Sequence, residues 1–202
     1  MNAVSFLASG EARPPQTPPF PALRARRGAV LAVAAGCGLL TARPLLVGAA
    51  GRPGPVLVTL FTGLLAVSVA WPGRRTATPA ARTVPVLLVG VGAFAVGRVL
   101  SGGSPAVPAA TGFVVGMNTL AAVAEEAFFR RLVYGALLAG GPGVALVGSS
   151  VLFAAVHVTV YGAWVLPLDL AAGLLFGWQR QVTGSWAVPA VTHAVANLLV
   201  VL

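Results

Sequence analysis

The sequence is poor in charged residues and contains no lysine. Only 8% of its 202 residues are charged, 57% are hydrophobic, and the mean hydropathy is +0.91. Soluble globular domains carry about 25% charged residues, so this composition excludes an ordinary water-soluble domain. Backbone groups in lipid must be hydrogen-bonded within their own segment. We therefore predict an all-α, polytopic transmembrane helix bundle.

Acidic residues and cysteine are also scarce. Four acidic residues stand against thirteen arginines, which gives a net charge of +9. The arginines lie between apolar runs rather than on one basic face, so membrane topology explains them better than nucleic acid binding. The single cysteine, Cys37, lies in an apolar run. It excludes an intramolecular disulfide and a metal cluster held by several thiolates.

Apolar runs of about 20 residues predict about seven membrane spans. They lie near residues 28–50, 54–72, 84–100, 106–124, 142–160, 164–179 and 185–202. The short piece 132–140 is predicted to be a re-entrant or interfacial turn, because it ends at Gly140 and is followed by Gly141 and Pro142.

The placement of arginine predicts a cytoplasmic N-terminus. This orientation puts on the cytoplasmic side Arg74, Arg75, Arg82, Arg130, Arg131 and Arg180. Arg43, followed by Pro44, is expected to break the first span near its far end and to reach the interface. We predict three parts: a disordered basic cytoplasmic tail over 1–27, N-terminal transmembrane helices over 28–83, and the functional core over 84–202.

Ionisable residues inside apolar helices are the candidates for chemistry. They cost about 2.5–3.5 kcal/mol each on insertion scales, so those present usually face a bundle interior. The second half of the chain contains Glu125, Glu126, Asp169, His157 and His193. We expect these side chains to line a polar intramembrane cavity.

The motif EEAFFR holds two adjacent carboxylates. Glu126 and Arg130 are four residues apart, so they lie on one helix face in the order that favours an ion pair. Glu125 points about 100° away and stays available for other work. Asn118, seven residues earlier on the Glu125 face, is a candidate partner of that carboxylate.

Two further motifs carry the histidines. FAAVH places Phe153 and His157 one helical turn apart, and HAVAN does the same for His193 and Asn197. Polar groups from two different helices can meet a carboxylate from a third only inside a bundle. The sequence therefore predicts that the three motifs converge.

Three interpretations fit such a cluster, and the residues favour the first. In a water-activating site for amide hydrolysis, Glu125 is the general base, His157 holds the water, and His193 and Asn197 donate to the oxyanion. In a metal site, Glu125, His157 and His193 are ligands of a kind that suits zinc. In the third interpretation the cluster is a structural or proton-relaying network.

In order and spacing, the three motifs resemble EExxxR, FxxxH and HxxxN of the CPBP family. This family contains CAAX proteases and bacteriocin-processing enzymes and is also called the Abi or type II CAAX prenyl endopeptidase family. The resemblance covers roughly residues 84–202. It implies a polytopic bacterial membrane protease whose helices enclose a conical cavity.

The resemblance also implies roles for single residues. Glu125 is similar to the catalytic glutamate that activates water together with His157, and His193 and Asn197 are similar to the oxyanion pair. The supporting pair corresponds to Glu126 and Arg130.

The resemblance leaves the cofactor open, because family members are described both as zinc metalloproteases and as metal-free glutamate proteases. The metal-free mechanism is slightly favoured, since the chain has no HExxH pair and the candidate ligands come from separate helices.

The expected function is endopeptidase cleavage of a membrane-associated peptide or protein by glutamate-activated water. The expected location is the plasma membrane of a bacterium, as a multi-pass protein. Its partners are then the lipid bilayer and a peptide substrate, with no nucleic acid. The alternative is a non-catalytic immunity or scaffold protein that retains the polar cluster for structural reasons.

Overall fold

Helices form the regular structure of the chain. The computed structural model describes residues 20–71, 80–102 and 111–201, and within these ranges it contains helices and no strand. The long helices are α1 Phe20–Ala49, α2 Pro53–Ala70, α3 Ala80–Leu100, α4 Gly112–Gly140, α5 Pro142–Tyr161, α6 Leu166–Thr183 and α7 Ala187–Val201. A short 3-10 turn, Ala163–Val165, joins α5 to α6.

Five of these helices are long and apolar enough to cross a membrane. They are Arg27–Ala49 within α1, α2, Arg82–Leu100 within α3, α4 and α5. α7 is apolar but has only 15 residues, and α6 carries the polar residues Asp169, Gln179 and Arg180. The predicted all-α, multi-pass bundle is confirmed, and α6 and α7 lie where the last two spans were predicted.

The first helix differs from the prediction at both ends. α1 begins at Phe20 rather than near residue 28, and it runs through Pro44 to Ala49. The expected break at Pro44 is wrong, because an isolated proline in a membrane helix removes one backbone hydrogen bond that its surroundings can replace. The predicted tail up to residue 19 lies outside the described residues, as do Arg74 and Arg75.

α4 is one long helix that changes its winding in the middle. Its α-helical part ends at Glu126, a π-helical segment follows over Ala127–Val133, and the helix continues to Gly140. Arg180 Nε donates to the Arg130 carbonyl at 3.0 Å and so satisfies one backbone acceptor of the π segment. The separate turn predicted over 132–140 is therefore wrong. The break falls at Gly141, whose φ of 101° suits glycine.

Small residues allow the neighbours of α4 to pack closely. A side chain at Gly36 in α1 would collide with the ring of Phe128 in α4. A Cβ at Gly173 in α6 would lie 3.1 Å from Ser150 Cα in α5. Close backbone approach of this kind drives helix association in lipid. It brings α1, α5 and α6 against the middle of α4, where the EEAFFR motif lies.

The apolar core surrounds the π segment of α4. Six of its seven residues are at most 1% exposed, namely Ala127, Phe128, Phe129, Arg130, Leu132 and Val133. Core residues from other helices pack against them, and these are Leu40, Leu60, Phe61, Leu64, Phe153 and Phe176. The motif helix is therefore held on all sides by the rest of the bundle.

Arg131 joins α4 to the C-terminal end of α2. Its guanidinium donates to the carbonyl oxygens of Ser68, Val69 and Trp71 at 2.9–3.0 Å. The last carbonyls of a helix lack partners within that helix and carry partial negative charge. Arg131, predicted as a charge on the cytoplasmic side, thus also has a structural function as a cap of α2.

Candidate active site

The three motifs converge inside the bundle. Glu125 and Glu126 come from α4, His157 from α5, and His193 from α7. These four side chains are buried, with residue exposures of 4%, 0%, 8% and 8% respectively. Buried ionisable groups are stable only with partners. The arrangement of those partners differs between the two carboxylates.

Glu126 is held on both of its oxygens. Oε2 lies 3.3 Å from Arg130 Nε, and Oε1 lies 3.1 Å from His193 Nδ1. The predicted Glu126–Arg130 pair is therefore present, although the residues between its members are π-helical. Oε2 pairs with Arg130 by charge but has no hydrogen bond among the described residues, and the contact of Oε1 with His193 links α4 to α7.

Arg130 is completely buried and is held by more than its ion pair. Nη2 donates to the Gly173 carbonyl at 3.2 Å. The guanidinium also lies 5.1–5.9 Å from the ring centres of Phe129, Phe153 and Phe176. Cation–π contacts strengthen when they are shielded from water. Arg130 is thus placed in the interior of the bundle.

Glu125 faces His157 across a gap. His157 Nδ1 lies 2.7 Å from the Phe153 carbonyl oxygen, which can only accept, so Nδ1 carries the proton in the neutral ring. Nε2 is then an acceptor, and it lies 3.7 Å from Glu125 Oε2. Two acceptors at this distance are best joined by a molecule that donates to both, such as water. FAAVH therefore sets both the place and the tautomer of His157.

The HAVAN pair is placed differently from the prediction. His193 and Asn197 share a face of α7, but His193 Nδ1 contacts Glu126, and Asn197 Nδ2 donates to the Asn118 backbone carbonyl at 3.3 Å. The Asn118 side chain donates to the Val114 carbonyl of its own helix at 2.9 Å. Asn118 is thus a backbone partner of Asn197, and its amide does not take the predicted place beside Glu125.

Two phenylalanines fix the imidazole rings. Phe153 lies 4.6 Å from the ring centre of His157 and 5.8 Å from that of His193. Phe176 stacks on His193 at 4.9 Å with an interplanar angle of 21°. Phe176 lies outside the motifs, and no sequence signal identified it. Its position follows from the packing of α6 against α7.

Arg43 of α1 is a site residue that the sequence analysis assigned elsewhere. Its Nη1 lies 3.6 Å from Glu125 Oε1, and its guanidinium lies 5.6 Å from the ring centre of Phe61. The expectation that Arg43 reaches the interface is wrong, because its side chain is 13% exposed and turns into the bundle. The signal was present in the sequence, since an arginine within an apolar run is expected to have a buried partner.

Asp169 lies at the first turn of α6, close enough to His157, Glu125 and His193 for electrostatic interaction. Its Oδ2 atom is buried, and among the described residues it has no hydrogen-bond partner. Asp169 is therefore a neighbour of the cluster. The structure gives it no contact with either histidine at hydrogen-bond distance.

The residues do not form a three-ligand zinc site. Within the described ranges, no three histidine, cysteine or acidic side chains are grouped so that they could hold a metal ion. Glu125 and His157 face each other, but His193 turns its Nδ1 toward Glu126. In a zinc site formed by Glu125, His157 and His193, the ligand atom of His193 would be Nε2, because Nδ1 contacts Glu126.

An apolar groove lies between α1 and α5. Its volume is about 630 Å³, and it is lined by Cys37, Gly38, Thr41, Ala42, Pro44, Leu45 and Thr159. None of the four cluster residues lines it. The groove is therefore separate from the cluster.

These features define a multi-pass membrane protein with a buried ionisable cluster shared by four helices. Residues 107–199 match a protein-family model described as type II CAAX prenyl endopeptidase, Rce1-like. This segment is therefore similar to the CAAX protease family, as its three motifs indicated. The match covers α4 to α7 and excludes α1 to α3. Comparison with curated proteins gives no match, and comparison with solved structures gives none either.

Proposed function

We propose that the protein is an intramembrane endopeptidase that uses Glu125 to activate water against a peptide bond of a membrane-associated peptide or protein. The observation that carries this proposal is the 3.7 Å gap between Glu125 Oε2 and His157 Nε2. Both atoms are acceptors, so a water between them donates one hydrogen to each. Similarity to a protease family supports the reaction type.

The mechanism follows from the two acceptors. As the water oxygen attacks the carbonyl carbon, Glu125 accepts one water proton, and the C=O bond opens to an oxyanion. Glu125 then returns this proton to the amide nitrogen as the C–N bond breaks, which releases a carboxylic acid and an amine. His157 keeps the water aligned through Nε2, because its Nδ1 is fixed on the Phe153 carbonyl.

His193 and Asn197 are the proposed donors to the oxyanion. His193 Nδ1 is already engaged by Glu126, so donation to the oxyanion uses Nε2 and requires the doubly protonated ring. Glu126 stabilises such an imidazolium. Asn197 Nδ2 has one weak bond to the Asn118 carbonyl at 3.3 Å, which a substrate oxyanion can replace.

We also propose the plasma membrane of a bacterium as the location, with residues 84–202 as the functional core. The family match and the apolar helices support a multi-pass membrane location. The arginines between the apolar runs support an N-terminus in the cytoplasm.

The proposal is tested by cleavage of a quenched peptide library with protein purified in detergent. Glu125→Gln preserves the volume of the side chain and removes the base, so we expect kcat to fall about 10²- to 10⁴-fold. His157→Ala should cause a loss of similar size. Glu11→Gln is the matched control, because it makes the same substitution outside the matched segment 107–199, and it should keep full activity.

The same samples distinguish the types of mechanism. Metal analysis and treatment with a chelator leave a glutamate-activated enzyme unchanged, whereas a metalloprotease loses activity with its metal. Full activity of folded Glu125→Gln would contradict the mechanism. A wild type that cleaves no peptide and binds no metal would favour a non-catalytic immunity or scaffold protein.

A further inference from the structure

Arg43 gives Glu125 a partner from outside the family motifs. Glu125 Oε1 faces Arg43 Nη1 at 3.6 Å, and Glu125 Oε2 faces His157 Nε2 at 3.7 Å. The two oxygens of the carboxylate are therefore divided between α1 and α5. Arg43 lies 64 residues before the matched segment begins at residue 107, so the family comparison does not identify it.

The packing of α1 explains how Arg43 reaches the site. Gly36 allows the backbone of α1 to approach Phe128 of α4, and Leu40, one turn later, is 2% exposed in the core. Arg43 lies two turns after Gly36, and residues spaced by three, four and seven share a helix face. The face of α1 that packs on the EEAFFR helix therefore delivers the guanidinium to Glu125.

The two adjacent carboxylates thus have separate cations. Glu126 pairs with Arg130, and Glu125 pairs with Arg43. A buried carboxylate without a counter-charge is costly, and its side chain would turn toward any available donor. Arg43 is itself steadied by the Phe61 ring, whose centre lies 5.6 Å from the guanidinium. It can therefore act as a fixed positive group.

We infer that Arg43 is a positioning residue that holds the Glu125 carboxylate with Oε2 directed at His157. Helix α1 then completes a site whose other parts come from α4, α5 and α7. Its catalytic consequence rests on the proposed function. Arg43 acts through Glu125, and a planar guanidinium suits this task better than a flexible ammonium group.

The catalytic test compares Arg43→Met, Arg43→Lys and the control Arg52→Met. Arg52 is an exposed arginine before α2, so its replacement should leave activity unchanged. Arg43→Met removes the charge and releases Glu125, and displacement of a reacting group by about 1 Å costs about 100-fold in rate. We expect that loss in kcat with little change in KM. Arg43→Lys should recover most of the lost kcat.

A residue needed only for packing would give a different result. Folded Arg43→Met would then keep its kcat, and Arg43→Lys would be no better than Arg43→Met. Either observation, made with an enzyme that Glu125→Gln inactivates, overturns the inference and leaves the proposed function intact.

A second test needs no substrate. Thermal unfolding is measured for the wild type, Arg43→Met, Glu125→Gln and the double variant. If the side chains interact, Arg43→Met lowers Tm less in the Glu125→Gln background than in the wild type. Equal shifts in both backgrounds overturn the pairing. This cycle remains decisive when the wild type cleaves nothing, a result that would count against the proposed function alone.

Discussion

The N-terminal helices α1–α3 and the C-terminal helices α4–α7 use similar apolar residues in different ways. In the most apolar 18 residues of α1 and of α3, 11% of residues are buried, whereas the value is 39% in both α4 and α5. Mean hydropathy does not explain the difference, because it is 1.9 in α1 and α3 and 1.2 in α4. α5 has the same mean hydropathy as α1 and α3, 1.9, yet it is as buried as α4.

Polar side chains explain this difference in burial between the helices. α4 carries Glu125, Glu126 and Arg130, whose partners come from α1, α5, α6 and α7. Lipid provides no partners for such groups, so they must face protein. α3 by contrast directs large apolar side chains outward, such as Val89 and Val99. Within this chain, burial follows the polar residues rather than hydropathy.

The strongest test of this comparison removes the buried cation at the centre of α4. Arg130→Met leaves the Glu126 carboxylate buried beside apolar surface, and breaking a buried pair costs about 3–5 kcal/mol. Reversible unfolding by SDS in mixed micelles measures this loss. Arg52→Met in the N-terminal half is the matched control and should change the free energy of unfolding by less than about 0.5 kcal/mol.

The double variant Arg130→Met, Glu126→Leu sharpens the result. It removes both charges and should recover part of the lost stability, because an apolar replacement of a buried pair can be neutral. No recovery at all would mean that the phenylalanine contacts of Arg130, rather than its charge, stabilise the bundle.

A smaller effect is expected from one leucine in each half. Leu132 in α4 is 1% exposed and Leu31 in α1 is 70% exposed. Leu132→Ala leaves a cavity and should lower the free energy of unfolding by about 2 kcal/mol, the low end of the range for leucine-to-alanine changes in protein cores. The low end applies because a leucine side chain gains little by moving from lipid into an apolar protein interior. Leu31→Ala should have little effect in the same unfolding assay. Equal losses would show that α1 is packed as tightly as α4 in the membrane.

The smallest effect is expected from added methyl groups. Gly173→Ala places a Cβ 3.1 Å from Ser150 Cα and 3.2 Å from the Ser150 carbonyl oxygen, so α6 must shift. We expect a cost of about 1 kcal/mol. At Gly92 in α3 a Cβ meets nothing within 4 Å, so Gly92→Ala should be neutral or slightly stabilising, since alanine favours helix. The Tm of both variants and of the wild type is measured by thermal unfolding in the same detergent.

Arg43 is the exception to the contrast between the halves. It belongs to the sparsely buried α1, yet it reaches the carboxylate of α4. Ionisable residues in membrane helices need partners, and in the sequence most of them lie in the second half of the chain. Arg43 has the pattern of a boundary residue, because Pro44 follows it. The helix instead continues through the proline, and the side chain stays inside.

The sequence alone determined a helical membrane protein, the positions of α5 to α7 and the Glu126–Arg130 contact. The apolar composition indicates that lipid surrounds most of the chain. Residues four apart on a helix lie next to each other whichever helices pack around them. Tertiary structure decided that His193 contacts Glu126, that Asn197 reaches a backbone carbonyl, and that Arg43 faces Glu125. These contacts depend on the rotation and depth of each helix against its neighbours. Close packing at positions such as Gly36 and Gly173 sets that rotation and depth, and periodicity within one helix contains no information about it.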